Sequence, residues 1–141
     1  MTRGDDTPTL GAGLTAKEAR TLRNTLSAED RERVETTVAG LLDLLGKTHT
    51  LAILSAFAFT DDPLRFSDLE SDLDIAPNTL STRLRELTDA GLLTRCQYDE
   101  VPPRVEYEPT PKAEALFPAF GHLHIWVIEH ELDEVAETEA E

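Results

Sequence analysis

The chain has 141 residues, enough for one compact domain with short extensions, and its 40% apolar content allows a buried core. No apolar run is long enough to span a membrane, the first 30 residues hold no apolar leader segment, and the single Cys96 excludes an intrachain disulfide, so the expected setting is the cytoplasm. The 28 acidic residues against 13 basic ones give a formal charge of -15, a surface that repels nucleic acid unless its charges are sorted.

In chain order, residues 1–14 are rich in Gly, Pro, Thr and Asp and read as disordered. Thr15 with Glu18, and Ser27 with Asp30, have the spacing of helix-start caps. From Ser27 the apolar residues Val34, Val38, Leu41 and Leu45 recur at helical spacing, and Gly46 is expected to stop that helix. "THTLAILSAFAF" is apolar nearly all round, which predicts a helix buried at the centre of the fold. "TDDP" reads as a turn and "LRF" as a short edge strand. Ser67 with Glu70 suggests a capping box opening "SDLESDL".

Asp74 to Pro77 forms a tight turn, and Pro77 suits the first position of a new helix. In that helix Leu80, Leu84 and Leu87 face inward, and Gly91 ends it. "LLTRCQY" and "RVEYE" read as two strands joined by "DEVPP", where the double proline discourages further pairing. Pro109, Thr110 and Pro111 open a last helix carrying Leu116, Phe120, Leu123, Trp126 and Val127. From Glu129 the chain is an acidic tail. The domain plan is then an N-terminal helical part at 15–45, a core at 47–109, a closing helix at 111–128 and a tail at 129–141.

Two helices joined by a short turn, the second followed by a β-hairpin, make a winged helix-turn-helix. The expected class is mainly α with a small β-wing, extended by N- and C-terminal helices. On the second helix Asn78, Ser81, Thr82 and Arg85 point outward at about 100° per residue, with Thr79 and Arg83 on the flanks. Its N-terminal half offers amide, hydroxyl and guanidinium groups and no acid, the chemistry that reads base edges and phosphates in a major groove. The alternative for such a surface is an ordinary solvated helix face. Arg104 sits beside the hairpin tip, either reaching DNA or pairing with Glu106 or Asp99. Arg65 and Lys47 are further candidates for the DNA backbone. Leu116, Phe120, Leu123, Trp126 and Val127 form a stripe for a two-fold dimer.

The stretches "LRFSDLESDL", "PNTLSTRLRELTDAGLLTR" and "VPPRVEYEPT", followed by "LFPAF" and the later Trp126, resemble the HxlR-type winged helix-turn-helix transcriptional regulators from about Leu41 to Trp126. The resemblance implies a DNA-binding dimer without enzymatic activity. It also implies that the helix from Asn78 to Arg85 is the recognition helix and that Arg104 lies on the wing. The sequence departs from the family's pattern at Thr48 and His49, at Ala76 before the recognition helix, and in "PKAEAL" after the wing.

His122, His124 and His130 do not read as a metal site, because residues two apart on a helix point to different sides. Cys96 reads as a small hydrophobe in a strand. No cofactor or membrane contact is called for, and the sequence does not name an effector. Only Lys17, Lys47 and Lys112 are lysines, and an acidic, lysine-poor surface suits a protein that stays hydrated in brine. The sequence-level expectation is a dimeric regulator of a salt-adapted cell, acting on double-stranded DNA at a pseudo-palindromic operator. The competing reading is a winged-helix protein-binding module with the acidic surface as its working face.

Overall fold

The computed structural model describes residues 15–132. The N-terminal segment 1–14 and most of the expected acidic tail, 133–141, lie outside the described residues. Among the described residues six helices and three strands follow one another: α1 (Ala16–Asn24), α2 (Ala28–Leu45), α3 (Thr50–Ala58), β1 (Leu64–Arg65), α4 (Phe66–Leu73), α5 (Pro77–Asp89), β2 (Leu93–Tyr98), β3 (Arg104–Pro109) and α6 (Pro111–His130). The fold is mainly α with a small three-stranded sheet, as the sequence pattern implies.

The first two caps form where the spacing places them. Thr15 accepts the Glu18 N–H at 3.1 Å, and the Glu18 carboxylate accepts the Thr15 N–H at 3.2 Å. Ser27 accepts the Asp30 N–H at 3.0 Å. Gly46 caps α2 in a right-handed conformation (φ -80°), so its freedom is not what turns the chain. His49, at φ 72°, takes the left-handed position before α3. The expected box at Ser67 is corrected: α4 begins at Phe66, and Asp68 accepts the Arg65 N–H at 2.9 Å. Ser67 therefore lies inside the first turn.

The core is built from Ile53, Leu54 and Phe57 of α3, Leu69 of α4, Ile75, the α5 row Leu80, Leu84 and Leu87, Leu92 and Leu93, Tyr107, and Ala113 and Phe120 of α6. Each fully buried Leu contributes about 1.5–3 kcal/mol relative to exposure. α3 is less enclosed than its composition suggests. Thr50, Ile53, Leu54 and Phe57 face in, while Leu51 and Phe59 face solvent.

The sheet order is β1-β3-β2, all antiparallel, so β3 is central and β1 is an edge of two residues. In the wing Arg95 lies opposite Tyr107 and Cys96 opposite Glu106. The Val101–Pro102 peptide in the β2–β3 connection is cis. Gly91, at φ 79°, takes the left-handed position that joins α5 to β2, a conformation costly for residues with a Cβ. Around it Leu92 N–H donates to the Leu87 carbonyl at 2.9 Å, and the Thr110 hydroxyl donates to the Gly91 carbonyl at 2.7 Å. These bonds fix the start of the wing against the end of α5.

α1 and α2 contribute no buried residue. Among the described residues no single helix is long and apolar enough to cross a membrane.

Candidate nucleic-acid interface

α5 begins at Pro77 because proline has no N–H to leave unpaired at the first helical position. The preceding turn is set by Asp74 in the left-handed region at φ 53°. Ala76, the N-cap, offers no side-chain acceptor, so the first amides of α5 remain open to an outside acceptor. With Leu80, Leu84 and Leu87 fully buried, the opposite side is fixed: Asn78, Ser81 and Arg85 are exposed, and Thr79 and Thr82 half-buried. The Thr82 hydroxyl donates back to the Asn78 carbonyl at 3.0 Å. Arg85 makes no hydrogen bond or ion pair among the described residues.

The other candidate cations are committed inside the molecule. Arg83 Nε donates to the Thr48 carbonyl at 2.9 Å, and its Nη1 meets Glu86 at 3.1 Å. Lys47 Nζ reaches the other Glu86 oxygen at 2.8 Å. The hydrogen bond from the Lys47 ammonium is the main cause that holds the Glu86 carboxyl below its usual range; desolvation opposes it, and the charge of Lys47 and then Arg83 add to the lowering. These two cations are therefore not simple backbone-facing charges. They tie α5 to the turn between α2 and α3.

Arg104 pairs with Glu100 at 3.3 Å and with Glu106 at 3.4 Å, and its guanidinium lies over the Tyr98 ring, 4.4 Å from the centroid. Of the two acids weighed for it, Glu106 is a partner and Asp99 is not among its ion pairs. The negative charge of Glu106 is the main cause that raises the Tyr98 phenol above its ordinary value. Arg65 approaches the same carboxylate at 3.9 Å. Arg104 and Arg65 thus share one acid on the outer face of the wing.

Arg95 was not among the sequence candidates. It lies two residues from buried Leu93 on β2, so strand alternation turns it to the same face, toward α5. That alternation was the available signal. Arg95 helps line a hollow of about 330 Å³ with Ser81, Arg85, Thr88, Asp89 and Tyr107. Cys96 faces the other way and is half-buried.

The expected dimer stripe divides. Phe120 is 3% exposed and belongs to the protein's own core, which corrects its place in the stripe, while Leu116 is half-buried and packs against that core. Leu123, Trp126 and Val127 are exposed, together with Ile125, Ile128 and Leu132. α6 continues to His130, past the expected end at 128. His124 stacks on Phe59 at 5.7 Å, and His130 stacks on Trp126 at 5.1 Å. Among the described residues no three potential metal ligands cluster.

A helix pair with a tight turn, its second helix exposed on an acid-poor side and followed by a β-wing, defines the winged helix-turn-helix class. Residues 44–134 match the family described as HxlR-like helix-turn-helix, and the chain belongs to it. It is similar to an HTH-type transcriptional regulator of Halalkalibacterium halodurans, 37% identical over 91 residues that cover 64% of this chain and 80% of the relative. It is also similar to the HTH-type transcriptional regulator YvaP of Bacillus subtilis, 35% identical over 89 residues, 62% of this chain and 81% of the relative. Among solved structures, a MarR-family transcriptional regulator from Enterococcus faecalis V583 superposes with a TM-score of 0.60 at 30% identity, over 75% of this chain and 91% of that one. The protein is thus a transcriptional regulator of the winged helix-turn-helix class.

Proposed function

We propose that the protein binds double-stranded DNA as a homodimer, with α5 in the major groove and the β2–β3 wing beside it. The operator is pseudo-palindromic, with half-sites about one helical turn apart or a multiple of that. In this reading 47–109 meets DNA, while 15–45 and 111–128 pair the subunits. The setting is the cytoplasm of a salt-adapted cell, supported by the formal charge of -15. No cofactor takes part, and the effector is unassigned.

One observation carries the reading. Asn78, Ser81 and Arg85 stand exposed on a helix whose opposite row is fully buried and whose first turn holds no acid. An amide in the first turn, where the positive end of the helix dipole lies, and further along a hydroxyl and a guanidinium without an ion pair among the described residues suit base edges and phosphates. Dimerisation is supported by the exposed Val34, Val38 and Leu42 of α2 and by Leu123, Trp126 and Val127 of α6. Such faces on helices with few buried residues call for a covering partner.

The test is selection of duplexes by the full chain from a randomised pool in molar potassium chloride. Arg85→Ala is expected to weaken binding, and Asn78→Ala to relax sequence preference by about 1–3 kcal/mol where a bidentate base contact is lost. Equal affinity and preference for wild type and the Asn78→Ala/Arg85→Ala double variant would overturn the assignment of α5.

A further inference from the structure

The basic residues near the proposed DNA face divide into two groups. Arg65, Arg83, Arg104 and Lys47 each lie within 4.0 Å of a carboxylate: Arg65 and Arg104 meet Glu106, and Arg83 and Lys47 meet Glu86. Arg85 and Arg95 have no ion pair among the described residues. Arg95 bonds only the neutral Gln97 side-chain oxygen, at 3.3 Å. Both line the hollow between α5 and the sheet, where the Ser81 hydroxyl is a third donor. Asp89, at the C-terminal end of α5, is the one carboxylate in the lining, so the hollow keeps a net positive formal charge on a strongly anionic protein.

Two guanidiniums, one from a helix and one from a strand, give a planar, charge-assisted fork suited to a tetrahedral anion. Packing holds the two elements together, because Leu84 and Leu87 of α5 and Leu93 of β2 are buried in one core. We propose that Arg95 and Arg85 grip one phosphodiester group of the DNA backbone in this hollow, with Ser81 as an additional donor. Arg95 then fixes the register of α5 on the duplex without reading sequence, the usual consequence of phosphate contacts. The proposal rests on the DNA-binding reading and adds a residue and a ligand group to it.

The experiment uses the full chain and two probes: the duplex that the wild type enriches, and an unrelated duplex of equal length. Affinity is measured across potassium chloride concentrations, with circular dichroism confirming the fold. Arg95→Ala is expected to weaken both duplexes alike, by about tenfold, the size of one hydrogen bond to a charged group. It should also shift the slope of log affinity against log salt by about one unit in the positive direction. Arg95→Gln, a second neutral variant, should shift the slope likewise, and Arg95→Lys should retain it. Arg85→Ala combined with Arg95→Ala should lose less than the product of the single losses, since both serve one phosphate. Wild-type affinity and slope in the Arg95 variants, or strictly multiplicative losses, would overturn the shared phosphate site and leave the DNA-binding reading standing. A wild type that retains no duplex at any salt would overturn both.

Discussion

Glu86 holds two cations at once, Lys47 from the turn before α3 and Arg83 from its own helix. Arg83 also reaches the Thr48 carbonyl, so one guanidinium joins α5 to the segment that leads back to α2. This fixes the angle at which α5 leaves the core. Arg83→Ala is expected to lower stability by about 1–2 kcal/mol, the scale of hydrogen bonds to a charged group on a partly exposed side chain. Thermal melting in fixed salt measures it, and an unchanged melting temperature with lost DNA affinity would return Arg83 to the contact surface. The pH dependence follows from the lowered Glu86 carboxyl. Its folded value lies below its unfolded one, so its stabilising effect is complete above the unfolded carboxylate value and is lost as pH falls through the folded value. Glu86→Gln should therefore be less stable than wild type at neutral pH and converge with it in acid. A constant gap between the two stability curves across the acid range would show that the carboxylate is not the origin.

At the scale of elements, α2 and the outer half of α6 carry apolar faces that the protein's own core does not use. Val34, Val38 and Leu42 are about half exposed, as are Leu123 and Trp126. A helix without buried residues draws little stability from its own subunit, since tertiary packing supplies most helical stability. Replacing Leu123 and Trp126 together by Glu is expected to give a monomer, to reduce the helicity of α1 and α2, and to abolish tight operator binding. Light scattering and circular dichroism in molar salt check this, and a dimer that survives the double change would place the interface elsewhere. The helices and the wing were legible in the sequence because their periods, caps and prolines are local signals. Phe120 was not, because one stripe from Leu116 to Val127 continues at helical spacing while the helix itself runs off the end of the core after Phe120. Periodicity shows which residues share a face, not which chain covers it. Arg83 presents the same difficulty: its flank on α5 follows from the angle per residue, but the nearness of Thr48 comes from packing. Arg95 escaped the sequence reading: strand alternation puts it on one face with Leu93, but that this face is the buried one comes from packing.

For the whole molecule the governing quantity is the charge of -15 and how it is distributed. A basic DNA-binding protein loses affinity steeply as salt rises, because neutralising phosphates releases counterions from DNA. Here much of the cationic surface is already spent on the protein's own acids. Arg23 pairs with Glu35, Arg33 with Asp30, and Arg65, Arg83 and Arg104 with Glu106, Glu86 and Glu100. Few phosphates are then neutralised by protein charge, and the carboxylates brought near DNA must take up cations from solution. At about 1 M salt the Debye length is only about 3 Å, so the repulsion between the two anionic surfaces is screened while contacts at hydrogen-bond distance survive. The expected slope of log affinity against log salt is therefore flat or positive across the molar range, the small negative contribution of each phosphate contact being offset by cation uptake. Folding should weaken at low salt for the same reason, as unscreened carboxylates repel one another. An operator titration at several potassium chloride concentrations, restricted to those where circular dichroism shows the native fold, measures the slope. A steep negative slope would mean that the acidic surface lies too far from the duplex to matter, and equal stability with and without molar salt would remove salt adaptation as the reason for the charge.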